Sequence, residues 1–140
     1  MKIYDAENQI MGRLSTVVAK NLLNGENVIV VNSEKAVLSG NPKMKKGEYD
    51  TRVKRGDPFK GPFFPKYPAD IFRRTVRGML PWNHAKGRNA FRKLKVFIGV
   101  PEEYEKMQKE KVQFADAVKL KTTYITLGEL STGIGAKKRW

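Results

Sequence analysis

The most constraining feature of this chain is Val28-Ile29-Val30-Val31, a short β-branched run with no polar position on either face. Such a run fits a strand covered on both sides, the situation of a parallel sheet. What precedes it supports that placement. Leu14, Val17, Val18 and Leu22 recur at i, i+3, i+4 and i+8, one face of a helix, and Asn24-Gly25 supplies the left-handed stop such a helix needs. Lys2 to Ala6 reads as an earlier strand. Strand, helix and strand at this spacing predict a βαβ unit. With no internal repeat and no sign of a second domain, the 140 residues are expected to form one domain, 1–140.

Further along, Asn41-Pro42 is a helix opening, with asparagine as the cap and proline at the first helical position. From about residue 55 to 68, Gly56, Pro58, Gly61, Pro62, Pro65 and Pro68 are interleaved with Phe59, Phe63, Phe64 and Tyr67. That density of breakers excludes a regular element and predicts an irregular basic arm whose aromatics need cover. Pro68 can open the next helix, with Phe72, Val76, Met79 and Leu80 on one face and Arg73, Arg74 and Arg77 opposite. Leu94 to Ile98 reads as a strand and Pro101 to Lys111 as a charged surface helix. The remainder is weakly patterned, with a short helix around Gly128 to Leu130 and a basic tail over 136–140, expected to be mobile because it has little apolar surface to dock.

Charge narrows the function. Residues 1–42 carry four basic and four acidic side chains, whereas residues 43–95 carry sixteen basic and four acidic ones. Nearly all of the formal net charge of +14 therefore lies mid-chain, which points to a polyanion, above all nucleic acid. The candidate RNA-binding residues are Lys43, Lys45, Lys46, Arg52, Lys54, Arg55, Lys60, Arg73, Arg74, Arg77, Lys86, Arg88, Arg92 and Lys93. Arginine stripes such as Arg73/Arg74/Arg77 and Arg88/Arg92 suit successive backbone phosphates, and aromatics in a basic arm suit base stacking.

Catalytic parts are scarce. His84 is the sole histidine and there is no cysteine, so a two-histidine metal site, thiolate chemistry and disulfides are excluded. Asp50, Asp57 and Asp70 lie among many cations and read as salt-bridge partners rather than Mg²⁺ ligands. Gly12 stands where a phosphate loop would lie, but Gln9 to Ser15 lacks both glycine fingerprints, so tight packing is the expected reason for it; Glu34 is only loosely placed for a ribose. A nuclease and a duplex-DNA architectural protein are the competing readings. Catalytic residues, cofactors, metals and a small-molecule substrate are not expected. The N-terminus lacks the apolar segment of a secretory signal, and no apolar run approaches the ~20 residues of a bilayer span, so a cytoplasmic protein without a membrane partner is expected.

Four motifs carry a resemblance. Asp5 to Thr16 (DAENQIMGRLST), Val30 to Gly40 (VVNSEKAVLSG), Val76 to Pro81 (VRGMLP) and Leu94 to Gly99 (LKVFIG) resemble, in order and interval, motifs of the ribosomal protein L13 family, and the length with the Gly133-Ile134-Gly135 end resembles its archaeal and eukaryotic branch. The resemblance implies a three-layer α/β/α domain around a four-stranded, mainly parallel sheet, with the arm and a C-terminal extension. It also implies binding to large-subunit ribosomal RNA, with structural and assembly roles beside neighbouring large-subunit proteins. Gly12 and Arg13 match the family's Gly-Arg, Asn32, Glu34 and Lys35 its Asn-x-Glu-Lys, and Arg77 and Gly78 its Arg-Gly before Met-Leu-Pro. Between Tyr49 and Pro65 the chain departs from the bacterial pattern, a Tyr-Tyr-x-His-Ser-Gly-type stretch being replaced by Tyr49-Asp50-Thr51-Arg52 and the arm.

Overall fold

The computed structural model describes residues 1–140. Strand β1 (Lys2–Asp5) leads into α1 (Met11–Leu23), and Gly25 at φ +92° turns the chain into β2 (Val28–Val31). Leu14, Val18 and Leu22 are buried as the apolar spacing requires, and all four residues of β2 are buried. After a 3₁₀ turn (Ser33–Lys35) come β3 (Val37–Ser39), α2 (Pro42–Lys54), α3 (Pro68–Gly78), α4 (Ala85–Arg92) and β4 (Leu94–Val96). A single-turn α5 (Glu102–Glu105), two further 3₁₀ turns, β5 (Tyr124–Thr126) and α6 (Leu127–Gly133) complete the chain.

The fold is α/β, as expected, with β2 at the centre of a parallel sheet ordered β1-β2-β4. The strand count differs from four. The parallel sheet has three strands, and a separate antiparallel pair is formed by β3 and β5. Glu110 partly fills a fourth position on the outer edge of β1: its amide donates to the Ile3 carbonyl at 2.8 Å and its carbonyl accepts from the Asp5 amide at 3.0 Å.

That pairing also shortens the predicted surface helix. Residues 101–111 form only Glu102–Glu105, because the chain must be extended by Glu110 to reach β1. A second difference lies at the end of α3. Met79 does not join Phe72 and Val76 in the core; the helix ends at Gly78, leaving Met79 exposed while Leu80 is buried.

The two faces of the sheet are covered unequally. Tyr4, Val28 and Val30 belong to the main core with Leu14, Val18, Ile71, Phe72, Val76 and Leu130. Ile3, Ile29 and Val31 form a smaller cluster under Phe97, Val100 and Tyr104. Helices α1 and α3 thus build one thick layer, and the short β4–α5 segment the thin one. Glu34 helps close that segment by accepting the Gly99 amide at 3.0 Å, a structural role that replaces the ribose contact considered above.

The short helix expected near Gly128 is a full, buried α6, started by a reciprocal capping box between Thr126 and Glu129. The basic tail, expected to have little surface to dock, lies against the body of the fold. A Cβ on Gly128 would lie 2.9 Å from the indole nitrogen of Trp140, and the Arg139 guanidinium lies 5.4 Å from the centre of the Tyr67 ring. One aromatic residue provides the anchor that the lysines lack.

Candidate nucleic-acid interface

The basic segment is spread over α2, the arm, α3 and α4, and its cations are held in different ways. Asn41 caps α2 by accepting the Lys43 amide at 3.0 Å, and only Tyr49 of this helix is buried. Three of its cations are ion-paired along the helix: Lys45 and Arg52 share the single Glu48 carboxylate, and Lys54 pairs with Asp50 at 2.6 Å. Lys43 is exposed, while the Lys46 stem lies against Gly133 of α6, where a Cβ would sit 3.2 Å away.

In the arm, Asp57 and Gly61 exchange backbone hydrogen bonds of 3.1 and 2.9 Å, closing a small loop around a cis Gly61–Pro62 bond. Gly56 is at φ +104° with the Pro62 ring 2.5 Å from the position of a Cβ, so only glycine fits. Phe59 stands at the loop tip, 92% exposed, beside exposed Arg55 and Lys60. Two of the arm's rings anchor it: Phe64 meets Tyr49 edge-on at 5.8 Å, and half-buried Tyr67 precedes α3.

Pro68 opens α3, which buries Ile71, Phe72 and Val76 and turns its arginines outward. Each guanidinium lies near a ring. Arg73 is 5.2 Å from the centre of Phe91, Arg74 is 5.4 Å from Phe64, and Arg77 is 4.4 Å from Trp82. None of the three has a carboxylate partner within salt-bridge distance, in contrast to α2. An arginine packed this way keeps its charge and most of its N–H fork for an external acceptor.

The rings of Trp82 and Phe91 meet edge-on at 5.4 Å. With the arm residues Phe63 and Phe64 they border a cleft of about 410 Å³ that also contains all three arginines and Asp70. Helix α4 is pressed onto the preceding turn at Gly87, where a Cβ would lie 2.1 Å from the Pro81 carbonyl oxygen. This leaves Lys86, Arg88 and Arg92 exposed. Lys93 is occupied internally, donating to the Gly25 carbonyl at 2.9 Å.

Several other sequence expectations resolve here. Asp50 forms the expected ion pair, whereas Asp57 accepts the Phe59 amide at 2.7 Å and Asp70 has no cationic partner. Gly12 is not a packing glycine, since a Cβ there would meet nothing within 4 Å. Arg13 is tied to the Phe114 carbonyl at 2.9 Å. His84 is an exposed residue preceding α4 and makes no capping bond through its side chain. No group of three or more histidine, cysteine or carboxylate residues could hold a metal ion, and no helix is long and apolar enough to cross a membrane. The rings of the cleft were not among the candidate cations, although Phe63 is one of the arm aromatics read above as suited to base stacking. Trp82 lies five residues after its partner Arg77, whereas Phe91 reaches Arg73 from eighteen positions away, a pairing that only the tertiary structure makes.

The family described as Ribosomal protein L13 matches residues 1–103, well over half of the chain. The chain belongs to this family. It is 49% identical over 135 residues to the large ribosomal subunit protein uL13 of Archaeoglobus fulgidus, covering 95% of this chain and 86% of that one. Identity is 48% over 136 residues to the protein of the same name from Methanopyrus kandleri, with the same coverage. For that of Methanosarcina barkeri it is 45% over 139 residues, 98% and 99% of the two chains. These archaeal relatives agree with the branch suggested by the length and the Gly133-Ile134-Gly135 end. The Ribosomal protein L13 family is a structural component and not an enzyme.

Proposed function

We propose that this chain is a structural constituent of the large ribosomal subunit in the cytoplasm. As a single domain, 1–140, it binds large-subunit ribosomal RNA and supports subunit assembly beside neighbouring ribosomal proteins. The observation that carries the RNA reading is the α3 face, where Arg73, Arg74 and Arg77 project without carboxylate partners. Exposed Lys43, Arg55, Lys60, Lys86, Arg88 and Arg92 extend this surface. Lys45, Arg52, Lys54 and Lys93 contribute at its margins, since each is already engaged by an intramolecular polar contact, and Lys46 contributes with only its stem packed. Phosphate neutralisation releases counterions, so each phosphate contact steepens the log–log salt dependence by about 0.7 to 0.9.

The test is direct. The chain should co-sediment with large subunits, and replacing Arg73, Arg74 and Arg77 together with glutamine should weaken binding to large-subunit RNA and flatten its salt slope. Charge reversal, Arg77→Glu, should impair incorporation into subunits, because a carboxylate facing phosphate adds repulsion to the lost hydrogen bonds. An unchanged slope in the triple variant would show that α3 faces away from RNA.

A further inference from the structure

The α3 arginines border a cleft whose remaining groups are not those of a plain phosphate track. Phe63 and Trp82 expose ring surface there, Phe63 at 67%, and neither position is needed to close the main core. The Nε of Arg73 is buried and meets no acceptor within the protein. Arg73 as a whole is only half-buried at the wall of this cleft and has no hydrogen-bond or ion-pair partner, so its outer N–H groups remain for a ligand's acceptor. Asp70, one turn before Arg73, lines the same cleft and has no ion pair. A carboxylate repels phosphate, so a group entering beside it must bring hydrogen-bond donors.

We propose that this cleft takes one unstacked guanine of the large-subunit RNA. The inference rests on the RNA-binding reading above and names the nucleotide class that the site selects. Guanine offers N7 and O6 as acceptors for arginine and the N2 amino group as a donor for a carboxylate. Its faces stack on Trp82 and Phe63, as bases splayed from RNA loops stack on aromatic rings. Arg74 and Arg77, at the same cleft, receive the flanking phosphates.

The experiment is ultraviolet crosslinking of the full chain bound to folded large-subunit RNA, with the linked nucleotide mapped, together with affinities of three variants across a salt series. The expected crosslink joins Trp82 or Phe63 to one unpaired guanosine. Phe63→Ala should weaken binding by about five- to hundredfold, the effect of a lost base–aromatic stack. Because no charge is lost, its salt slope should stay unchanged. Arg73→Lys keeps the charge but removes the planar fork of N–H donors, and it should weaken binding with the same unchanged slope. Asp70→Asn should lower affinity for the native RNA and reduce its advantage over RNA carrying adenine at the linked position.

Phe63 is exposed, so its variant should retain the wild-type unfolding midpoint, which separates a binding loss from a folding loss. Wild-type affinity in Phe63→Ala and Arg73→Lys would overturn the proposal, as would a crosslink to a paired nucleotide or to another base. Those outcomes leave RNA binding itself standing. Failure of the wild-type chain to bind large-subunit RNA would instead remove the parent reading and this one together.

Discussion

The Arg77 guanidinium lies 4.4 Å from the centre of the Trp82 ring, across the turn that joins α3 to α4. The last arginine of α3 is thereby held against the surface by a ring rather than by a carboxylate, and its charge remains available to a polyanion.

Gly78 follows Arg77, and a Cβ there would meet nothing within 4 Å. Glycine in a helix costs up to about 1 kcal/mol relative to alanine, and packing within the chain does not explain its use at this position. Gly78→Ala should therefore raise the urea midpoint slightly while lowering affinity for large-subunit RNA, whose backbone would approach Arg77 over this position. Unchanged or improved affinity would exclude a close approach at Gly78.

Glu48 holds both Lys45 and Arg52 on the exposed side of α2. Exposed pairs contribute less than about 1 kcal/mol each, so Glu48→Gln should cost little stability. Freeing two cations should raise RNA affinity at low salt and steepen the salt slope. Titration over a salt series checks this, and an unaltered slope would place α2 away from the RNA.

Gly128→Ala tests the docked tail. Alanine normally strengthens a helix relative to glycine, but here the new methyl would lie 2.9 Å from the Trp140 indole nitrogen and 3.1 Å from the Glu34 carbonyl oxygen. Trp140 should be displaced, with red-shifted fluorescence and faster tryptic cleavage at Lys137, Lys138 and Arg139. Equal cleavage rates in the two proteins would mean that the tail is not docked in solution.

Burial pushes the Tyr49 phenol above its ordinary value of 10.0, with nearby Arg52 pulling in the opposite direction. The folded state then holds this proton more tightly than the unfolded state. Its contribution is fully present below pH about 10 and is lost as pH rises through the folded value. Tyr49→Phe should reduce the alkaline fall in unfolding free energy and preserve the ring contact with Phe64. Parallel alkaline profiles would show that Tyr49 ionises alike in both states.

Local chemistry made much of the fold legible from the sequence. The apolar spacing of Leu14, Val18 and Leu22, the Asn24-Gly25 stop, the Val28–Val31 run and the prolines at 42 and 68 each specify a conformation through nearest neighbours alone. The arm was readable for the same reason, since its glycines and prolines exclude both helix and ladder. What stayed hidden depended on distant partners. Strands β3 and β5 are three residues each and acquire strand character from one another across about 90 positions of sequence, while Glu110 is extended because β1 offers an edge.

The interface divides in the same way. Sequence alone located the positive charge in residues 43–95, because charge is a property of side-chain type. It could not separate the cations of α2 that are ion-paired with Glu48 and Asp50 from the ring-packed arginines of α3. Only the tertiary structure decided that, by bringing Phe64, Trp82 and Phe91 to Arg74, Arg77 and Arg73. Electrostatic and stacking energies depend on separation in space, and for these pairs that separation is set by how the arm and α4 pack around α3.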